Sequence, residues 1–190
     1  NHKDIWDSDL TLQGVISRKK QDTALDGNCD DILNKISMNS LQDPENDVKA
    51  DSNIFDLKEF YAGRGDGALY LCSKFYNDIE PNGFNLITYH IQCAETKTNY
   101  WIQFEGTILV YAGYFKNDQP FEKWENISTD LNRVSGIMTA RGRDIESVIP
   151  FSLFKKNELK GKLSTKIILG GIRSGKNEWN AEESEFLELK

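Results

Sequence analysis

Between residues 52 and 189 apolar side chains recur with the two-residue period of extended chain, not the 3.6-residue period of a helix. In "TNYWIQFEG", Tyr100, Ile102 and Phe104 alternate with Trp101, Gln103 and Glu105, which predicts a strand with one apolar face and one mixed face. "SNIFDLKEFYAG" and "GALYLCSKFYN" read as strands joined through the Gly-rich "GRGDG", a hairpin signal. "GFNLITYHIQCAE" and "NYWIQFEGTILVYAGYF" follow, connected by "TKT". "SGIMTARGRDIESVIP" reads as two strands with a turn at Gly142 to Asp144, and "LSTKIILGGIRSG" and "SEFLELK" supply the last extended segments. About eight strands in one domain, with no long helical period, predict an all-β fold: an antiparallel β-sandwich, jelly-roll-like, with short helical turns in its connections.

Pro150 interrupts this pattern. Ile145, Val148 and Ile149 precede it as a strand, and Phe151, Leu153 and Phe154 follow it as core-type residues. Proline has no N–H for a ladder, so the strand is expected to end there. The three residues after it are expected to form a turn capping the open end of the core. Upstream, "ALDGNCDDILNKI" predicts a Gly turn and a short amphipathic stretch with Ile32, Leu33 and Ile36 on one side, and "LQDPENDVKAD" (41–51) a charged loop. Residues 1–21 read as a tail or edge strand with Trp6 as an anchor, and 22–190 as the sandwich domain.

The chain of 190 residues carries a net charge of −7, and its longest basic run is Arg18, Lys19 and Lys20. Phosphate backbones need a larger basic face, so nucleic acid is excluded as the expected partner. No run of about 18 apolar residues is present to span a bilayer as a helix. The chain starts at Asn1 without a Met and with no signal peptide; a trimmed leader and a secreted or cell-envelope location are expected. Cys29, Cys72 and Cys93 lack CxxC spacing, which argues against zinc. Cys72 and Cys93 fall in predicted strands, either as buried thiols or as a disulfide with each other.

Four segments resemble one family in order and spacing from about residue 22 onward. "ALDGNCDDILNKI" resembles the opening of family 9 carbohydrate-binding modules and the wider DOMON-like sandwiches, although Ile32 and Leu33 stand where those have Trp. "GDGALYLCSKFYND", "DIESVIPFSLF" and "IILGGIRSGKNEW" with "FLEL" resemble their later segments. The resemblance implies a non-catalytic module, one part of a larger multidomain protein, that holds an oligo- or polysaccharide in a slot between two aromatic rings. It also implies ligand roles for Trp179 and Arg173.

Sugar recognition needs an aromatic face against the C–H face of a pyranose and side chains that bond its hydroxyls. Trp179, in the polar "SGKNEWNAEESE", Trp101 and Trp124 are the stacking candidates. Arg173, Glu105, Gln103 and Asn177 are the polar ones. A structural calcium ion is the cofactor candidate, with Asp26, Asp30, Asp31, Asp47 and Asp51 as oxygen ligands in acidic loops. Competing readings are an exported interaction or scaffold domain without a sugar site, a haem-binding domain using His90 with Met138 or Met38, and a glycoside-active enzyme; no specific carboxylate pair or triad stands out for the last. His90 itself reads as a satisfied strand histidine. "GGIRSGK" lacks the Ser or Thr of a phosphate loop, having Asn177 instead, and Arg141 and Arg143 near Glu146 read as surface ion pairs. The RGD triplet 64–66 is read as hairpin chemistry, and Asn126, Ile127 and Ser128 form a glycosylation sequon.

Overall fold

The "GRGDG" hairpin forms as its glycines require. β2 (Leu57–Gly65) and β3 (Ala68–Phe75) pair antiparallel with Gly65 opposite Ala68, leaving the two-residue loop Asp66–Gly67. Gly67 adopts φ +79°, which a residue with a Cβ enters only at a cost. Arg64 is held in the same hairpin: its guanidinium donates to the carbonyls of Leu159 at 2.8 Å and Gly161 at 2.6 Å. The RGD triplet is therefore a structural element of the fold.

The computed structural model describes residues 25–45, 47, 56–76, 86–117, 124–173 and 176–189, with the backbone alone over 171–181. Trp6, Asp51 and the early edge strand lie outside the described residues.

Every described strand pairing is antiparallel. The smaller sheet has the order β1 (Asn39–Gln42), β2, β3, β9 (Ile145–Pro150), β8 (Met138–Arg141). The larger has the order β11 (Lys176–Glu183), β10 (Leu163–Arg173), β4 (Leu86–Cys93), β5 (Thr98–Glu105), β6 (Ile108–Lys116), β7 (Glu125–Asn126), with β12 (Leu187–Glu188) also along β10. The core lies between them. Leu57, Phe60, Ala62, Leu69 and Leu71 from the smaller sheet meet Ile87, Tyr89, Ile91, Tyr100, Ile102 and Phe104 from the larger. The protein is thus an antiparallel β-sandwich, with two short helices among the described residues, α1 (Asp30–Lys35) and α2 (Leu131–Val134).

Pro150 ends β9, and Phe151–Leu153 form a 3-10 turn with Leu153 fully buried and Phe154 nearly so. The end of the core is then closed by polar ties. Arg133 of α2 donates to the Leu153 carbonyl and to the Tyr100 hydroxyl; that hydroxyl donates to buried Glu158 at 2.7 Å. The Lys155 N–H also reaches Glu158 at 2.7 Å, so the carboxylate is satisfied in a buried site.

The outer face of the smaller sheet is covered. Ile32 of α1 packs with Ala68, Tyr70 and Val148, and Leu25, Ile36 and Met38 lie against them. Three long-range attachments hold this segment down. Glu146 accepts the Asp26 and Gly27 N–H groups at 2.9 and 2.8 Å, Asp144 accepts the Cys29 N–H at 3.1 Å, and Cys29 is disulfide-bonded to Cys72.

Several expectations are corrected. The twelve strands among the described residues exceed the expected eight or so, because Gly106 and Thr107 split the 99–115 segment into a hairpin and because short or polar segments also pair. Leu41 and Gln42 belong to β1, not to a loop. Trp179 and Asn177 belong to β11, not to a loop, because β10 continues past β4 and supplies an edge for a polar segment to pair with. Cys72 pairs with Cys29, 5.9 Å away between Cα atoms, so it is neither a free thiol nor bonded to Cys93, while Cys93 is a buried free thiol as expected. Arg143 sits in the turn before β9 and pairs with Asp30 and Asp144, while Glu146 is buried beneath the Asp26–Gly27 turn. "GGIRSGK" spans a β-hairpin with no helix after it.

Candidate functional site

The larger sheet presents the strand pattern seen in "TNYWIQFEG" with Tyr100, Ile102 and Phe104 facing the core and Asn99, Trp101, Gln103 and Glu105 on the outer face. In β4, Tyr89 and Ile91 face the core, so His90 faces outward. The register sets Lys166, His90, Trp101 and Gly113 side by side on four neighbouring strands. This places an imidazole and an indole in one cross-strand row, the pairing unit of a sheet.

Rings continue along that row. His90 stacks on Trp101 at 4.8 Å between centroids and 21° between planes. Trp101 meets Trp124 at 5.8 Å and 46°, and Trp124 stacks on Phe115 at 4.4 Å and 17°. On the other side Phe186 lies edge-on to His90 at 5.0 Å, with the Lys166 ammonium 5.2 Å from its ring centre. Five rings therefore run continuously across the strands: Phe186, His90, Trp101, Trp124 and Phe115. Trp101, Trp124 and Phe115 are half-buried and Phe186 is exposed.

Gly113 makes room for this packing. A Cβ there would fall 2.2 Å from the Tyr111 hydroxyl oxygen, so the Tyr111 ring occupies the space beside Trp101 that a larger residue would fill. The Trp101 indole N–H is shut from solvent and has no acceptor, so a ligand would meet the exposed carbon surface of this half-buried ring and not its N–H. Gln103, half-buried, and Glu105, exposed, follow Trp101 along β5.

His90 is fixed in its tautomer by Asn99, whose Oδ1 accepts from Nε2 at 2.9 Å; Asn99 in turn donates to Asn117. Burial holds the His90 pKa below the ordinary 6.5; the Asn99 bond and the Glu183 charge oppose this, and Lys166 reinforces it. The folded state therefore prefers neutral His90. Its contribution to stability is present above the unfolded value and is lost as pH falls from about 6.5 through the folded pKa. Thermal unfolding followed between about pH 7.5 and 5 is expected to show a drop in wild type that His90→Gln lacks. Parallel curves would mean that His90 keeps the same proton affinity when the chain unfolds.

The remaining candidate residues lie elsewhere. Arg173 pairs with Lys176 and Ile172 with Asn177 in the β10–β11 hairpin, and the side chains of Arg173, Asn177 and Trp179 are outside the described set. Arg173 is seven residues along β10 from Lys166 in the Trp101 row, roughly 23 Å at the rise of extended chain. The hairpin is therefore at the end of the sheet where Glu105 lies, away from the Trp101–Trp124 pair. Those two indoles touch each other at a 46° tilt, so they leave no slot between them; a ligand would lie across them.

Histidine–methionine haem ligation has no basis in this placement. His90 is on the outer face of the larger sheet, while Met138 is in β8 and Met38 packs outside the smaller sheet.

Two acidic groupings are also present among the described residues. Asp26, Asp31 and Glu146 form one, and Asp43, Asp47 and Glu182 the other, each with one carboxylate oxygen per residue within 4.8 Å of the others. Asp30 is instead ion-paired to Lys74 and Arg143, which hold its carboxyl below the usual range. Sequence reasoning reached Asp26, Asp31 and Asp47 through acidic loops. The acidic stretch 43–51 also includes Asp43, but the reading missed Glu146 and Glu182, and it missed Phe115, Phe186 and His90 as members of the aromatic row. Their signal lies in strand register, which a single sequence does not specify.

No family model, curated protein or solved structure matches the chain.

Proposed function

We propose that this domain is a non-catalytic carbohydrate-binding module that takes an oligo- or polysaccharide across the outer face of its larger sheet. One observation carries the reading: half-exposed indoles of Trp101 and Trp124 stand in a continuous aromatic row on a paired sheet, with Gln103 and Glu105 along the same strand as Trp101. Rings supported by a sheet lose little freedom on binding, and adjacent amide and carboxylate groups suit hydroxyls. The resemblance of the four sequence segments to family 9 modules supports the same reading. The Cys29–Cys72 disulfide supports an exported protein, since such bonds persist in oxidising compartments.

Affinity electrophoresis through gels cast with soluble plant, fungal and bacterial polysaccharides, with a glycan array alongside, tests it. Retardation by at least one polysaccharide, relieved by the free oligosaccharide, is the expected result. Free migration in every gel with no array signal would remove the sugar reading and leave the interaction-domain alternative.

A further inference from the structure

The second acidic grouping sits at a seam. Asp43 follows β1 at the edge of the smaller sheet; its N–H donates to the Lys58 carbonyl, and its own carbonyl accepts from the Tyr76 hydroxyl at 3.0 Å. Glu182 comes from β11 at the edge of the larger sheet, paired with core residue Leu169, and is 4 % exposed. Its Oε1 accepts the Leu57 N–H at 2.9 Å, so it already bridges the two sheets. Asp47 approaches from the exposed chain after β1.

The unusual part is what these carboxylates lack. Glu182 Oε2 and Asp43 Oδ2 are both shut from solvent, and apart from each other's carboxyl group, which can donate only when it holds a proton, they have no hydrogen-bond partner among the described residues. Among the described residues, no lysine, arginine or histidine forms an ion pair with Asp43, Asp47 or Glu182. A buried carboxylate oxygen without a donor is costly, and two facing each other with a third carboxylate nearby are costlier. The Asp26–Asp31–Glu146 grouping has one such oxygen, Glu146 Oε1, where the Asp43–Asp47–Glu182 grouping has two, and both N–H groups of its turn fall on the other Glu146 oxygen.

We propose that Asp43, Asp47 and Glu182 bind a calcium ion that clamps the edges of the two sheets together. An all-oxygen donor set without His or Cys suits a hard cation. Three carboxylates from two segments, the stretch after β1 and β11, suit the irregular, six- to eight-fold oxygen shell of calcium better than the strict octahedron of magnesium. Asp47 is exposed, so water can reach the grouping from its side. Burial raises the Glu182 pKa to about 9, with Asp43 and Asp47 adding to the rise, and burial raises Asp43 too.

The test uses the purified chain, stripped with EDTA and dialysed. Calorimetric titration with calcium chloride up to about 10 mM, above the weak end of extracellular calcium modules, is run on wild type, Asp47→Asn, Glu182→Gln and Asp26→Asn. Calcium binding in wild type, weakened at least tenfold by Asp47→Asn and Glu182→Gln and unchanged by Asp26→Asn, is the expected result, with a calcium-dependent rise in melting temperature. Asp47 is exposed, so its variant reports on the site even if Glu182→Gln misfolds. Absence of binding in wild type overturns the proposal and leaves Asp43 and Glu182 sharing a proton. Binding that survives Asp47→Asn unchanged, or that Asp26→Asn abolishes, overturns it as well.

Discussion

Removing the Cys29–Cys72 disulfide is expected to lower unfolding free energy by about 4 kcal/mol, the loop-closure value for a link across 43 residues. The bond joins the segment before α1 to the smaller sheet through β3. α1 has six residues, too few to be helical without tertiary support. Its support is the packing of Ile32 on Ala68, Tyr70 and Val148, the hold of Glu146 and Asp144 on the preceding turn, and the disulfide. Without the covalent link the first two remain, so a looser but folded state is expected. Urea unfolding of wild type, with and without reductant, and of the Cys29→Ala/Cys72→Ala double variant measures the effect. Reduced wild type and the variant should share a midpoint well below that of oxidised wild type. Burial pushes the Cys93 thiol up to about 12, so thiol reagents at neutral pH should label no cysteine in the oxidised folded protein. Coincident unfolding curves in all three samples would show that the bond does not constrain the unfolded chain.

Trp101→Ala is expected to weaken binding of whichever polysaccharide retards the protein by about 2–3 kcal/mol, the range of an aromatic hot spot. Trp101 is central in the row, touching His90 on one side and Trp124 on the other. Its removal takes away a stacking surface and also loosens both neighbours. Trp101→Phe separates these effects: it keeps a ring in the row and should retain part of the affinity. Trp179→Ala serves as the counter-test, since Trp179 lies in the β10–β11 hairpin away from Trp101. Full loss with Trp179→Ala and none with Trp101→Ala would move the ligand to the hairpin end of the sheet and refute the proposed face. Melting temperatures of all three variants distinguish lost contacts from lost folding.

The sandwich was legible where local chemistry decides structure. The Asp66–Gly67 turn, the Gly142–Asp144 turn and the strand end at Pro150 each follow from residues adjacent in the chain. β11 was not legible, because "KNEWNAEE" has no apolar alternation and becomes a strand only by pairing with the extended β10. The disulfide was not legible either, since it depends on a helix docked over β3 by carboxylates more than 100 residues away. The same holds for the candidate sites. Alternation in β5 exposed Trp101, Gln103 and Glu105 as one face, whereas the joining of Trp101 to His90 and of Asp43 to Glu182 depends on register and on the closing of two sheets.

The two outer faces of the sandwich differ in a way that gives the molecule a front and a back. The back is shut by α1 and its flanking apolar residues, while the front carries a band of rings running crosswise to the strands. On the proposed sugar reading, a band of this kind would meet a polymer along its length, where a cleft would grip an end. Successive units of one chain would then share the band, and longer fragments would gain avidity from neighbours that a single monosaccharide cannot reach.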